Sequence, residues 1–104
     1  MKTSEDLKAN ILFALAHPNR IRILEFLQKD VRCQCELAPE LELEQSNLSR
    51  HLKILIEAGI LKSWKEGLRV NVKVADDRIF KILDIVSALA KQDVAIRAEA
   101  LEMA

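Results

Sequence analysis

The two cysteines of this chain, Cys33 and Cys35, are the residues whose type and spacing most directly suggest chemistry, and they stand one residue apart in the stretch RCQCEL. Two cysteines cannot form the dense disulfide framework of a small secreted domain. A bridge between such close neighbours would also close too small a loop to restrain the unfolded chain much. Their purpose must therefore be local, and structural, catalytic and sensing roles are all open at this point.

A catalytic role would make the chain an enzyme that exchanges thiols and disulfides. No paired histidine, activated serine, metal triad or glycine-rich phosphate loop accompanies the two cysteines. We therefore expect the protein not to be an enzyme and to require no cofactor.

Length and composition predict one packed domain over residues 1–104. Half of the 104 residues are apolar, which is enough for a core without disulfides or metals. The apolar runs are far shorter than the roughly 18 residues that span a bilayer, and the start, MKTSEDLKAN, lacks the apolar core of a signal peptide. We expect a cytoplasmic protein without membrane contact, in which free thiols are the default.

The charges balance overall, with sixteen basic and sixteen acidic residues, but they are unevenly distributed. Between Gln45 and Lys73 there are six basic and two acidic residues, so this window has a net charge of +4 and the remainder of the chain has a net charge of −4. A basic segment within a neutral protein is typical of a surface that binds a polyanion, although a solvated surface of mixed charge is a common alternative.

Apolar residues at helical spacing predict two helices at the start of the chain. The first runs from Ser4 to Ala16 behind the capping candidates Thr3 and Ser4, and it stops at His17 because Pro18 restricts the residue before it. Pro18 suits the first turn of the second helix, which His17 flanks. The second helix buries an apolar face and is expected to keep four charged side chains in water: Arg20, Arg22, Glu25 and Lys29.

Two more helices and a hairpin follow. A short third helix is predicted from Cys35 to Leu43, although Pro39 has no amide hydrogen to donate within it. The fourth helix, QSNLSRHLKILIEAG, is amphipathic and ends at Gly59. A period of two then predicts a basic-sided β-hairpin over residues 60–74 with a turn at KEG.

A final helix, capped by Asp76 or Asp77, completes the pattern and extends more weakly through Ile96 to Leu101. About five helices with a hairpin after the fourth predict a mainly α fold with a β-hairpin wing, the winged helix-turn-helix.

A helix fills the major groove of DNA, where Arg can pair with guanine and Gln or Asn with adenine, while Ser and Lys hold phosphates. The alternative is that the fourth helix is an ordinary amphipathic helix with a solvated face.

The segments HPNRIRILEFL, RCQCEL, QSNLSRHLKILIEAGIL and WKEGLRVNVKV closely resemble the ArsR/SmtB family of metal-responsive winged-helix repressors over nearly the whole chain. The resemblance implies a homodimer built by the first and last helices, which binds double-stranded DNA at a palindromic operator and leaves it when an effector binds. The segment Gln45 to Ala58 matches the recognition helix, and the segment Lys62 to Val74 matches the wing. The residues expected to contact DNA are Gln45, Ser46, Asn47, Ser49, Arg50, His51, Lys53, Lys65 and Arg69.

Some positions depart from the family pattern. Glu44 stands where a helix-capping Ser is usual, so the start of the fourth helix is expected to be less well capped. Some members build a zinc site on the last helix from a carboxylate and histidines, but from Asp76 onward this chain has no His. That zinc site is therefore absent.

Within the resemblance, Cys33 and Cys35 fall on a CxC element that supplies thiolates for arsenic or soft metals in some members. Thiolates suit soft ions, but on a regular helix residues two apart point about 200° from one another, so chelation requires an unravelled helix start. Arsenite-binding relatives add a third cysteine where this chain has Ala38. The pair is interpreted as a site for a soft metal or metalloid, alternatively as an oxidisable dithiol, or as two small side chains without a sensing role.

The sequence thus predicts a sequence-specific repressor, released from its operator by a thiol-directed effector such as arsenite or a soft metal at Cys33 and Cys35. One alternative is a repressor that responds to thiol oxidation through the same pair. Another is a winged-helix module that binds proteins and not DNA. The basic window between Gln45 and Lys73 argues against the last of these.

Overall fold

A computed structural model describes residues 1–28 and 30–103. Lys29, which the pattern places on the wet side of the second helix, lies outside the described residues. In chain order the elements are α1 (Ser4–Leu15), α2 (Pro18–Phe26), β1 (Arg32–Cys33), α3 (Gln34–Leu41), α4 (Gln45–Glu57), β2 (Leu61–Glu66), β3 (Arg69–Val74) and α5 (Arg78–Met103). The predicted helices and hairpin are all present, and the architecture is a winged helix-turn-helix.

The starts of α1 and α2 follow the local sequence. Thr3 caps α1 in a capping box: its hydroxyl accepts from the amide of Asp6, and the Asp6 carboxylate accepts from the amide of Thr3. His17 caps α2, because its Nδ1 accepts a 3.0 Å hydrogen bond from the amide of Asn19, and Pro18 occupies the first helical position. The predicted roles of Thr3, His17 and Pro18 are confirmed.

The third helix begins and ends earlier than the predicted range of Cys35 to Leu43. Cys33 has an extended backbone and caps α3, which therefore starts at Gln34. Pro39 lies inside α3 without ending it, and Glu42 then adopts a left-handed conformation with φ 55°. The amide of Leu43 donates to the carbonyl of Ala38 at 2.9 Å, which closes the helix end.

The sheet has three antiparallel strands in the order β1-β3-β2, one more than the sequence indicates. The additional strand β1 has only two residues, Arg32 and Cys33, which pair with Val72 and Asn71. The hairpin turn lies at Gly67-Leu68 and shares only Gly67 with the predicted KEG turn, because β2 extends through Glu66. Gly67 has φ 64°, the left-handed conformation that tight hairpin turns require at this place.

The core lies where α2, α3 and α4 meet the sheet, and its most buried large side chains are Ile23, Leu24, Leu37, Leu48, Leu55 and Val72. Arg20 joins this core with only 5% of its surface exposed, so the expectation that it stays in water is wrong. By contrast, several apolar residues of α1 and of α5 remain exposed in the single chain, among them Leu12, Phe13, Val86, Leu89 and Val94. Within the described residues, no helix combines the length and the apolar character that crossing a membrane requires.

Candidate DNA-binding surface

Helix α4 separates its residues into a buried face and an exposed face. Leu48, Leu52 and Leu55 are buried with at most 2% of their surface exposed, and they anchor the helix to the core. The opposite face carries exposed polar side chains that the sequence assigns to DNA contacts, namely Gln45, Ser46, Asn47, Ser49, Arg50 and Lys53. These six residues are therefore all exposed to solvent along the first nine residues of α4.

The exposed face of α4 is partly organised by its own side chains. Asn47 accepts a 3.1 Å hydrogen bond from the Arg50 guanidinium, which orients Arg50 along the helix. Glu44 makes no side-chain capping bond, as its sequence position predicts, so the capping residue leaves the first amides of α4 without a side-chain partner. Amides at a helix N-terminus suit a phosphate oxygen, and the exposed Lys53, farther along α4, adds a cation.

The wing, formed by β2 and β3, adds a second basic surface. Lys65 and Arg69 are both exposed, as are the paired residues Lys62 and Lys73. The guanidinium of Arg69 donates a 3.1 Å hydrogen bond to the carboxylate of Glu36, so this wing residue is linked to α3. Among the described residues, Lys65 makes no ion pair, whereas Arg69 is paired with Glu36.

His51 differs from the other predicted contact residues because it is half-buried on the side of α4 that faces α2. Its Nδ1 lies 3.2 Å from Nη1 of Arg20, and its ring centroid lies 4.4 Å from that of His17. Burial lowers the pKa of His51 from its ordinary value of 6.5, and the charges of His17, Arg20 and Arg50 lower it further.

Arg20 is the residue of this region that the sequence pattern did not identify. Its Nε donates to the carbonyl of Ala14 at 2.7 Å, and its Nη2 donates to the carbonyl of Phe13 at 3.1 Å. Both carbonyls belong to the C-terminal turn of α1, and the carbonyl of Phe13 also accepts a 3.1 Å hydrogen bond from the amide of Ala16. Helical periodicity places Arg20 on the polar side of α2, and only the folded positions of α1 and α4 show that this side is covered.

Cys33 and Cys35 straddle the junction between β1 and α3. Cys33 is buried and extended, whereas Cys35 is exposed in the first turn of the helix, and their Cα atoms are 5.2 Å apart. Cys33 thus lies just before α3, and Cys35 lies in its first turn. The two sulfurs form a disulfide, in contrast to the free thiols expected by default, because the extended backbone of Cys33 lets its side chain reach Cys35.

The cysteine pair lies close to both parts of the candidate DNA-binding surface. It shares a surface groove with Gln45, the first residue of α4, and with Leu68, Arg69 and Val70 of the wing. Over the part of the chain that the structure describes, no group of three or more His, Cys, Asp and Glu side chains converges to hold a metal ion. Two sulfurs are therefore the donors that one chain offers to a soft ion at this position.

Comparison with known proteins identifies relatives of this fold. Residues 17–63 match the model of a bacterial regulatory protein family, arsR. The chain is 38% identical over 82 residues to an uncharacterized helix-turn-helix transcriptional regulator of Methanocaldococcus jannaschii, covering 78% of this chain and 92% of that protein. It is 27% identical over 93 residues to a Streptomyces lividans protein named "Probable mercury resistance operon repressor", covering 89% of this chain and 74% of that protein.

A solved structure extends the comparison to nearly the full length. The crystal structure of Rv0081 from Mycobacterium tuberculosis matches with a TM-score of 0.82 and 32% sequence identity, covering 94% of this chain and 99% of that one. The match includes the helices on either side of the segment that the family model covers. The architecture described above is thus common to this chain and to a protein named as a helix-turn-helix transcriptional regulator.

Proposed function

Because this chain belongs to the arsR family of bacterial regulatory proteins, we propose that it is a dimeric cytoplasmic repressor that binds a palindromic DNA operator and is released by a thiol-directed effector. The observation that carries the DNA-binding proposal is the division of α4 into an anchored apolar face and an exposed polar face beside a basic wing. Arg50, Ser49, Gln45, Ser46 and Lys53 contact the groove, and Lys65 and Arg69 contact phosphates.

The dimer is proposed from apolar surface that one chain leaves uncovered. Phe13 of α1 is 66% exposed, and Leu89 and Val94 of α5 are 60% and 67% exposed. Exposed apolar surface of this extent on two helices is typical of an interface. A two-fold axis between the copies would place two α4 helices about one DNA turn, roughly 34 Å, apart, which is why the operator is expected to be palindromic.

DNA binding is tested by selecting duplexes from a random pool and titrating the protein with the selected duplex and with a scrambled one. We expect the selected duplex to bind on the order of a thousandfold or more tightly, and the affinity to fall steeply as salt rises. Binding of neither duplex at low salt would contradict the proposal and favour the alternative, a winged-helix module that binds proteins.

The effector site is proposed at Cys33 and Cys35. The pair adjoins Gln45 and the wing, and Glu36, the residue after Cys35, binds Arg69 at 3.1 Å. A change at the cysteines can therefore alter both DNA-contacting elements without occupying the DNA surface. A reduced pair provides two thiolates for a soft metal or metalloid, with further ligands from a small thiol, water or a second chain. The relative named for mercury resistance supports this class of effector.

A second candidate, a response to oxidation, is favoured by the disulfide itself. Joining Cys33 and Cys35 removes two electrons and two protons, which a disulfide oxidant accepts, and forms one bond between sulfurs. The disulfide leaves no thiolate to bind a metal. Metal binding and oxidation are therefore mutually exclusive at this pair, and operator affinity can be compared in the reduced, oxidised and metal-treated protein.

The variant Cys33→Ser, Cys35→Ser separates both candidates from a role for the cysteines as small side chains. Ser is a preferred N-cap, so the helix start at residue 33 is expected to survive the substitution. The variant should bind the selected duplex as the wild type does and should keep binding it in arsenite, cadmium or a disulfide oxidant. If it still releases DNA with the agent that releases the wild type, the pair is not the sensor. An effector that binds the DNA-free conformation more tightly than the DNA-bound one by about 1.4 kcal/mol would lower the affinity for the operator tenfold.

A further inference from the structure

The cluster of Arg20, His51 and His17 lies between three elements and is not part of the exposed DNA-binding face. Arg20 of α2 is 5% exposed and bonds to the C-terminal carbonyls of α1 and to His51 of α4. His51 therefore faces inward from the same helix whose outward face carries Arg50. One buried side chain thus connects a helix of the proposed dimer interface with the helix proposed to read DNA.

The chemistry of the contact between Arg20 and His51 determines the protonation state of His51. A guanidinium has only N–H donors and stays protonated, so Nη1 of Arg20 must donate to Nδ1 of His51 across the 3.2 Å between them. An imidazolium has no acceptor nitrogen. The bond therefore exists only while His51 is neutral and carries its hydrogen on Nε2.

We propose that Arg20 is a positioning residue for α4, which it holds against α1 through neutral His51, and that protonation of His51 releases this contact and weakens operator binding. The inference rests on the proposed DNA-binding role of α4. Release has a clear physical cause: a protonated His51 would place a second cation beside Arg20 and would also lose the acceptor that Arg20 uses.

The surroundings of His51 favour the neutral form from every packed side. From α2 it meets His17 and Arg20, from α4 it meets Arg50, and α1 contributes the carbonyls of Phe13 and Ala14, which Arg20 occupies. Burial and these cationic neighbours lower the pKa of His51 below 6.5, whereas the unfolded chain titrates near that value. The folded state thus binds the proton less readily, and its packing at this site weakens as the pH falls below about 6.5.

The sign of the pH effect separates this role from direct DNA contact by His51. A histidine that touches phosphate gains charge as the pH falls, so it would strengthen binding in acid. A positioning histidine of the kind proposed weakens binding in acid. The two roles of His51 therefore predict opposite slopes.

The experiment measures the Kd of the selected duplex between pH 7.5 and pH 5.5 at constant salt, for the wild type and two variants. His51→Gln keeps an acceptor for Arg20 but cannot be protonated, and His17→Asn removes the neighbouring imidazole while keeping a preferred N-cap. We expect the wild-type Kd to rise about tenfold per unit of pKa difference between the competent and released forms and His51→Gln to stay flat. His17→Asn should keep a smaller rise, because it removes one of the charges that lower the pKa of His51. Arg20→Lys, which cannot form the three bonds of the fork, should weaken binding at pH 7.5.

The outcomes distinguish this inference from the proposed function. Wild-type protein that binds no duplex at any pH overturns DNA binding itself and the inference with it. Tighter binding in acid, or a pH dependence that His51→Gln retains, overturns the positioning role while DNA binding stands. A nuclear magnetic resonance titration of the His51 ring gives a readout without DNA, and a pKa at or above 6.5 in the wild type would also overturn it.

Discussion

Helix α4 and the part of α5 from Val86 onward both carry apolar residues, but they differ in whether those residues are buried within one chain. In α4, Leu48, Leu52 and Leu55 are buried within a single chain. In α5, Leu89 and Val94 keep more than half of their surface exposed. Helix α4 is therefore packed within one chain, whereas this part of α5 leaves apolar residues uncovered.

The difference shows how function can be inferred from burial rather than from composition. The buried leucines hold α4 in the core, so the exposed polar residues around Arg50 are available to bind another molecule. A helix with uncovered apolar residues is itself incomplete, and its exposed face is a candidate for association with a like surface. This difference in burial supports the proposal that α4 binds DNA and that α5 forms the dimer interface.

The largest effect is expected from removing an anchor of α4. Leu55→Ala should lower the free energy of unfolding by about 2–5 kcal/mol, because it leaves a cavity in the core, and the loss should be the same at all protein concentrations. Leu89→Ala is the matched substitution on α5, and its effect should appear only at concentrations where the protein is dimeric. Urea unfolding at several protein concentrations makes the measurement. A loss from Leu89→Ala that does not depend on concentration would show that α5 is packed within one chain.

The next effect concerns assembly. Val86→Asp places a charge on the exposed apolar side of α5 and should convert the dimer to a monomer in sedimentation at micromolar concentration. Lys91→Asp is the control, since residue 91 lies about 140° around the helix from residue 86. A wild-type protein that sediments as a monomer, or a Val86→Asp variant that stays dimeric, would remove α5 from the interface.

A smaller effect is expected on the exposed face of α4. Arg50→Ala should cost about 1–3 kcal/mol of binding to the selected duplex and should relax the preference for it over single-base variants of that duplex. The substitution leaves the buried anchors of α4 intact, so the unfolding free energy should change by less than about 0.5 kcal/mol. Unchanged affinity and unchanged preference would mean that this face of α4 does not read bases.

The smallest effect is expected on the wing. Lys65→Ala should weaken binding to selected and scrambled duplexes alike and should reduce the slope of log affinity against log salt by about one. Ser63→Ala, an exposed uncharged position on the same strand, is the control. A loss confined to the selected duplex would indicate that Lys65 contacts a base rather than a phosphate.

The helices and their caps depend on residues close together in the sequence, and they were predicted well. Strand pairing and contacts between helices depend on residues far apart in the sequence, and they were predicted less well. Thr3, His17 and Pro18 act on their own helix starts, and the absence of a cap from Glu44 is equally local, so each was readable from the sequence. Strand β1 was missed because two residues carry no detectable period and because its partner, β3, lies almost forty residues later.

Arg20 shows why burial of a charged residue is hard to predict. A charge at a polar helical position normally remains in water, and nothing near Arg20 in sequence indicates otherwise. Its burial depends on acceptors supplied by Phe13 and Ala14 at the end of one helix and by His51 of another. The position of His51 on the inward side of α4 depends on the same packing, which the period of that helix alone does not define.

The central claim, that α4 and the wing form the DNA-binding surface, is tested most directly by titrating isotope-labelled protein with the selected duplex and following every backbone amide by nuclear magnetic resonance. The account predicts that the largest shifts occur over residues 45–53 and 62–73, while residues 94–103 of α5 change little. Shifts concentrated on α1 or on the second half of α5, with α4 unaffected, would contradict it.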